Sequence, residues 1–422
     1  MSKSRVIAHY LLETACPVER AIEVIAGEQS SGTFVSVPGE TPELRLRYGA
    51  RVEHIELLET TDTPSLIGGA LPKEAKPPYS YQRARFTLSF PFENMGANIP
   101  TLISTVCGNL YELQDHTGLK LLDLELPEEF QVYPGPQFGV EGTRRLIGVS
   151  DRPLIGTIVK PSVGLSPEQT AELVKELIEA GLDFIKDDEL MANPPHSPLK
   201  ERVKAVMRVI LDYEQKTGKK PMYAFNISDD IENMLEHHDA VLEAGGTCIM
   251  VSLNSVGYAA TSFLRKRSQL LLHGHRNGWG MLTRHPYLGI AFPAYQQLWR
   301  AIGVDHLHVN GLQNKFWEPD DSVVHSVQSM QKPLFGGYFA MPVIASGQWA
   351  GQVPETWNRM KTTDILYLAG GGIMGHPAGV RAGVLSIQQA WEAAVQGIPL
   401  EDYAHDHEEL ALALVKFGKR SG

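Results

Sequence analysis

Residues 181–190 read Gly-Leu-Asp-Phe-Ile-Lys-Asp-Asp-Glu-Leu, an apolar strand that ends in one lysine and three carboxylates. In an extended strand, side chains two apart share a face, so Lys186 and Asp188 point the same way. Glu189 follows where strand gives way to loop and can turn inward. An unpaired ammonium inside a barrel mouth would cost free energy. Three carboxylates beside one lysine suggest instead a cation held by oxygens. An arbitrary run of this kind would read as a solvated acidic turn with the lysine reaching to water. Its place after a strand, in a chain with seven other candidate strands of the same kind, decides otherwise.

Those strands are 154–162, 183–190, 223–227, 248–253, 269–276, 305–311, 342–347 and 365–371. Each is followed by a connection long enough for a crossover helix. The first crossover is explicit: Ser166 can cap, Pro167 suits the first helical position and Gln169 can complete a capping box. Leu173, Val174, Leu177 and Ile178 then form an apolar stripe, and Gly181 ends the helix. Val203, Val206, Met207 and Ile210 repeat the stripe before Gly218. Eight such units predict an α/β fold, a (β/α)8 barrel over 139–422, with a doubly wound open sheet as the alternative.

Residues 1–138 do not alternate regularly. Segments 6–12, 44–58 and 84–90 read as strands and 18–25 as a helix, which predicts an α+β domain with an antiparallel, ferredoxin-like sheet. Tyr133-Pro134-Gly135-Pro136 reads as the joint.

Barrel chemistry gathers at the C-terminal ends of strands, with phosphate often held after strands seven and eight. Here the strand ends are rich in reactive groups. Lys160 closes the first strand and, with its pKa lowered by its site, could act as a base rather than as a surface lysine. His275 and Arg276 close the fifth, in a His-Gly-His-Arg run suited to a polar, anionic substrate. On the sixth, one of His306 and His308 should face the lumen and the other the helices. His308, nearer the strand end, is the catalytic candidate and His306 the structural one. Ser346 and Gly347 end the seventh strand, and Gly370, Gly371 and Gly372 the eighth. There, backbone amides can cradle phosphate, although glycine runs are usually turns.

Composition bounds the rest. The chain has 422 residues and a net charge of −11, which excludes a general basic face for nucleic acid. Its three cysteines, Cys16, Cys107 and Cys248, show no metal spacing and suit a reducing compartment. The N-terminus lacks the apolar core of a signal peptide, and no run reaches membrane-spanning length. The expectation is a cytoplasmic protein with no membrane partner.

The same strand-end residues carry a family resemblance. The segments are Gly-Thr-Ile-Val-Lys-Pro (156–161), Gly-Leu-Asp-Phe-Ile-Lys-Asp-Asp-Glu (181–189), His-Gly-His-Arg (273–276), Asp-His-Leu-His (305–308), Ala-Ser-Gly (345–347) and Gly-Gly-Gly-Ile-Met-Gly-His-Pro (370–377). In order and on consecutive strands, they resemble the large subunit of ribulose bisphosphate carboxylase, and more closely its non-carboxylating RuBisCO-like relatives. The resemblance spans essentially the whole chain. It implies that Lys186, carbamylated by CO2, holds Mg2+ together with Asp188 and Glu189. Lys160 would be the base, and His275 would move a proton or bind a hydroxyl. Arg276 and His308 would contact a phosphate or its neighbourhood. Ser346, Gly347, Gly370 and Gly371 would bind substrate hydroxyl and phosphate oxygens. It also implies a homodimer or higher homo-oligomer in which Glu28, Thr33 and Asn109 of the N-terminal domain complete the partner's barrel site as a lid.

Departures from the carboxylase pattern matter equally. Ser162 stands where the carboxylase has a second lysine, Leu190 where it has asparagine, Gln348 where it has glycine and Phe34 where it has tryptophan. Lys315, in a loop unlike the carboxylase's, is matched to the lysine that steadies the carboxylated intermediate. Without a cation at 162, CO2 fixation is not expected. The expected chemistry is a metal-stabilised enediolate formed from a phosphorylated sugar or sugar acid. The favoured substrate is a 3-oxo sugar-acid phosphate of the 3-oxo-isoapionate 4-phosphate type, undergoing decarboxylation or transcarboxylation with hydrolysis. The polar His-Gly-His-Arg and Asp-His-Leu-His segments suit a hydroxyl-rich acid. The alternatives are an enolase or isomerase of a methylthioribulose-phosphate-type substrate and a non-catalytic binding or regulatory relative. The metal-ready set of Lys186, Asp188, Glu189 and Lys160 argues against the last.

Overall fold

The computed structural model describes residues 4–32, 37–67, 71 and 76–418. The chain divides into two units, one of Met1–Tyr133 with Gly278–Ala301 and one of Pro134–Asn277 with Ile302–Gly422.

The first unit is built on a five-stranded sheet. Arg5–Thr14 runs through its middle, antiparallel to Tyr81–Pro91 on one side and to Gly118–Glu125 on the other. Arg51–Thr61 forms one edge. Leu288–Ile290, from the stretch far along the sequence, adds in parallel at the other edge. Val6, Ala8, Tyr10 and Leu12 alternate inward, as a half-buried strand requires. Against them lie Val18–Glu28, burying Val18, Ala21, Ile22 and Ile25, and Ile99–Cys107, burying Ile99, Leu102 and Val106. The expected strand over 44–58 is corrected in part. Thr41 caps a helix at Pro42–Tyr48, its hydroxyl accepting from the Leu44 amide, and extended structure begins only at Arg51. Proline at the first helical position beside a threonine cap outweighs the β-leaning residues that follow.

The second unit is a closed barrel of eight parallel strands. They are Leu154–Ile158, Phe184–Lys186, Met222–Asn226, Cys248–Ser252, Leu271–His275, His306–Asn310, Met341–Ala345 and Leu366–Leu368. The eighth pairs with the first, Leu366 opposite Leu154, so no edge is left open. Leu154, Phe184, Met222, Met250, Leu271, Met341 and Leu366 fill the interior with apolar bulk, so the barrel is a packed core. The first crossover helix, Pro167–Glu179, starts with the expected capping box between Ser166 and Gln169. The second, Leu199–Thr217, ends at Gly218 in the left-handed conformation. Ion pairs tie the strand starts: the half-buried Arg152 to Asp183 at 2.6 Å, and the fully buried Arg265 and Asp305 at 3.1 Å. No described helix is long and apolar enough to cross a membrane.

Candidate active site

The strand Phe184–Lys186 delivers Lys186 fully into the interior, where its Nζ donates to the Asp187 carbonyl at 2.8 Å. Burial drives its pKa down from the ordinary lysine value to about 8, against the upward pull of Glu189, Asp188 and Asp187. Glu189 Oε2 lies 3.9 Å from Lys186 Nζ and 3.5 Å from His275 Nε2, so one carboxylate faces both groups. Asp188 Oδ2 accepts from Lys160 Nζ at 2.7 Å. Burial alone would raise the Asp188 pKa, but the bonds from Lys160 and the Leu190 amide bring it below the usual carboxylate value. Lys160 also donates to Ser162 Oγ at 2.7 Å. The serine in place of a second lysine thus positions the first.

Asp187 goes the other way, as strand alternation requires. Its carboxylate meets Arg202 at 3.2 Å, the Tyr223 hydroxyl at 2.6 Å and the Asn226 amide at 2.9 Å, with both charged side chains buried. Asn226 Nδ2 in turn donates to the carbonyls of Asp188 and Glu189. The first carboxylate of the Lys-Asp-Asp-Glu run is therefore the anchor of the two that face the mouth. Sequence reasoning missed this group. Its signal was the odd position of Asp187 between two even ones, but its partners lie on a later helix and strand.

The fifth and sixth strands bring four histidines together. His275 Nδ1 accepts from the Asn277 amide at 3.2 Å, which leaves Nε2 as the proton-bearing nitrogen, toward Glu189. Burial lowers its pKa to about 3, so the ring is neutral. His308 packs beside it, with centroids 4.3 Å apart and the rings tilted by 50°. The expectation that His306 and His308 face opposite ways is corrected. Being two apart on one strand, they share a face, and both hydrogen bond to His273. His306 packs on Phe184 of the barrel interior.

Arg276 Nη2 pairs with Glu318 Oε2 at 2.9 Å, both side chains almost wholly buried. Glu318 also accepts from Asn310 Nδ2 at 2.5 Å and from Ser322 Oγ at 2.9 Å. Ser346 Oγ closes the network on Asn310 Oδ1. Ser346 and Gly347 hold positive φ of 76° and 85°, the sharp turn that ends the seventh strand. Lys315 is exposed, its backbone amide donating to the Ser346 carbonyl at 3.3 Å. Gln348, buried, donates to the Leu312 carbonyl, and Gln352 to those of Leu312 and Gln313, so the loop carrying Lys315 is pinned at its root. A Cβ at Gly370 would come within 3.8 Å of Lys160 Cε, which puts the glycine turn beside the base. The short helix Gly371–Met374 opens there, and its first amides have no intrahelical acceptor.

Lys160, Lys186, Asp188, Glu189, His275, Arg276, His308, Lys315, Ser346, Gly347, Gly370 and Gly371 thus all belong to the barrel unit. Glu28 and Asn109 belong to the N-terminal unit, both exposed. The Gln29 amide, oriented to donate, reaches the carbonyls of Ser104 and Thr105 at 2.6 and 3.2 Å and brings the ends of their two helices together. Thr33 and Phe34 lie outside the described residues.

Two family models match the chain. One, described as the ribulose bisphosphate carboxylase large chain, N-terminal domain, covers residues 1–130, and the other, the catalytic domain of that chain, covers residues 139–417. A Rhizobium etli protein named 3-oxo-isoapionate-4-phosphate decarboxylase is 52% identical, across 98% of this chain and 99% of its own. A Xanthobacter autotrophicus protein named 3-oxo-isoapionate-4-phosphate transcarboxylase/hydrolase is 51% identical, across 97% of this chain and 98% of its own. The crystal structure of a rubisco-like protein from Burkholderia fungorum matches with a TM-score of 0.90 at 46% identity, across 98% of this chain and 100% of that one.

Proposed function

The chain belongs to the ribulose bisphosphate carboxylase large-chain family as one of its RuBisCO-like enzymes, and we propose that it removes the carboxyl group of a phosphorylated 3-oxo sugar acid of the 3-oxo-isoapionate 4-phosphate type. The observation that carries this reading is the Lys160 cluster. Lys160 Nζ is held by Asp188 and Ser162 at 2.7 Å each, and the serine replaces the second lysine that carboxylation uses. The mouth keeps the group that moves a proton at carbon and lacks the extra cationic donor. The names of relatives about half identical to it over their full lengths support the same chemistry.

In a 3-oxo acid the ketone lies two carbons from the carboxylate. Its C–C bond breaks, CO2 leaves, and the electron pair moves onto the ketone oxygen to give an enolate. Lys160 would return a proton to the carbon, and the neutral His275, with the Asn277 amide on its Nδ1, would hold a substrate hydroxyl. The glycine turn at Gly370 and Gly371, with Ser346, Gly347 and Lys315 across from it, would take the phosphate.

The donor set fits a magnesium ion, with one addition. Among the described residues no three His, Cys, Asp or Glu side chains converge as ready ligands. Asp188 and Glu189 offer two carboxylates, and a carbamate on Lys186 would supply the third oxygen donor. Its neutral amine would add CO2 and release one proton, and a pKa of about 8 leaves a useful neutral fraction near pH 7. Bound there, the ion would supply Lewis-acid stabilisation of negative charge on substrate oxygens. We also assign Glu28, Thr33 and Asn109 to the barrel site of a second copy, which makes a homodimer the smallest complete unit. Cys16, Cys107 and Cys248 are thiols rather than disulfides, which suits the reducing cytoplasm.

The test offers 3-oxo-isoapionate 4-phosphate, ribulose bisphosphate and methylthioribulose phosphate in D2O with Mg2+ and bicarbonate. The expected result is CO2 release and one deuterium fixed at carbon, from the first substrate only. Lys160→Met should lower that rate by ~10²–10⁴. Retention of the carboxyl in a second product would shift the reading to carboxyl transfer. Turnover of methylthioribulose phosphate alone would overturn it.

A further inference from the structure

Three buried histidines beneath the mouth form a chain that the chemistry above leaves unused. Thr143 Oγ1 lies 2.5 Å from the Gly139 carbonyl, one helical turn back, and that contact takes its only hydrogen. Thr143 Oγ1 is also 2.9 Å from His306 Nε2, so this ring nitrogen must be the donor. A neutral imidazole carries one N–H, so His306 Nδ1 is then a lone pair. It lies 3.1 Å from His273 Nδ1, which must therefore donate. His273 Nε2 is in turn a lone pair, 2.8 Å from His308 Nε2. The last donor in the chain is His308 Nε2–H, and the last free position is His308 Nδ1.

Burial holds all three rings well below the ordinary histidine pKa, so each carries one proton and the counting is unambiguous. His273 is sandwiched in place, stacked on Phe184 with centroids 5.2 Å apart. His308 Nδ1 has no hydrogen-bond partner among the described residues, yet it is not among the polar atoms sealed from solvent without one.

We infer that Thr143, His306 and His273 are positioning residues that fix His308 as its Nε2–H tautomer, so that it offers a substrate a lone pair and not a proton. This rests on the proposed function only for the identity of the ligand group. An Nδ1 lone pair accepts from a hydroxyl, and it cannot donate to the oxygens of a phosphate dianion. The geometry therefore sets His308 against a hydroxyl-bearing carbon of the sugar acid, next to His275, and leaves phosphate to the glycine turn.

The primary readout needs no substrate and so stands or falls apart from the decarboxylase reading. Two-bond ¹H–¹⁵N correlation spectra of the ¹⁵N-histidine-labelled protein, with His308 assigned by its loss in His308→Gln, report which ring nitrogen is protonated. The native protein should show Nε2–H alone; Nδ1–H would overturn the inference. His306→Gln keeps an acceptor toward His273 and a donor toward Thr143, and should preserve the tautomer. His306→Leu should release it to a mixture and lower kcat/KM by about 5- to 30-fold, the effect of one hydrogen bond of 1–2 kcal/mol. Thr143→Val, remote from substrate, should release it too, and covers the case in which His306→Leu does not fold. An unchanged His308 spectrum in Thr143→Val, or equal losses in the Gln and Leu variants with the tautomer intact, would overturn it.

Discussion

Replacing Arg202 by methionine tests whether the buried Asp187–Arg202 pair holds the loop that carries the proposed metal ligands. Arg202 is fully buried and gives Asp187 two contacts of 3.2 Å. Its guanidinium also donates to the carbonyls of Ser197 at 2.6 Å, Met191 at 2.9 Å and Ala192 at 2.6 Å. Methionine fills much of the volume and supplies no donor. Removing one partner of a buried ion pair costs about 3–5 kcal/mol, mostly through the charge left behind. Tyr223 and Asn226 still solvate Asp187, but three carbonyls lose their donor, so we set the loss at ~4 kcal/mol. For a domain of this size that is a fall in Tm of ~8–16 °C. The double variant Asp187→Asn/Arg202→Met has no stranded charge and should recover about half of it. Because Asn226 bridges Asp187 to the backbone of Asp188 and Glu189, Mg2+ affinity should also fall in the single variant at 20 °C, where it stays folded. Calorimetry and a Mg2+ titration measure both. An Arg202→Met protein within about 2 °C of the parent would refute the reasoning, and so would a double variant no more stable than the single.

Two further outcomes follow from the same site. Lys186, with its pKa lowered by burial to about 8, is protonated below that pH and neutral above it. The rate of CO2-dependent activation, followed by ¹³C-carbamate NMR, should rise about tenfold per pH unit and level off near pH 8. A rise continuing to the ordinary lysine value near 10.4 would show that another lysine reacts. The sign for stability is the same, since the unfolded chain binds more protons between those two values and stability therefore climbs with pH across them. At the fifth strand, Glu318→Gln removes the carboxylate that occupies Arg276, leaving a buried guanidinium short of its counter-charge. Its Tm should fall, and inorganic phosphate should restore more of it than phosphate adds to the parent protein. Equal phosphate responses would mean that Glu318 does not keep anions from Arg276.

What the sequence made legible was whatever a single strand end or helix start encodes by itself. Lys160, Lys186 and Asp188 close apolar strands, and Ser166, Pro167 and Gln169 announce the helix that links two of those strands. The hidden features need two elements that only closure of the barrel sets side by side. His273 and His306 are register partners on adjacent strands, 33 residues apart, and neither is unusual in its own segment. Asp187 is one of three like residues until Arg202 and Tyr223 arrive from elsewhere to claim it. Glu318 follows a loop whose chemistry looks variable, and only Arg276 from the neighbouring strand shows it to be a fixed counter-charge. Leu288–Ile290 is harder still, a three-residue strand whose pairing with Gly118–Glu125 carries no local mark. The common cause is that a carboxylate or imidazole has no intrinsic role. Its neighbours decide between ligand, anchor and relay, and in a parallel barrel the decisive neighbours come from the next strand, a full crossover away in sequence. The strand ends therefore mark where the reactive groups gather, and the cross-strand pairs show how each of them is held.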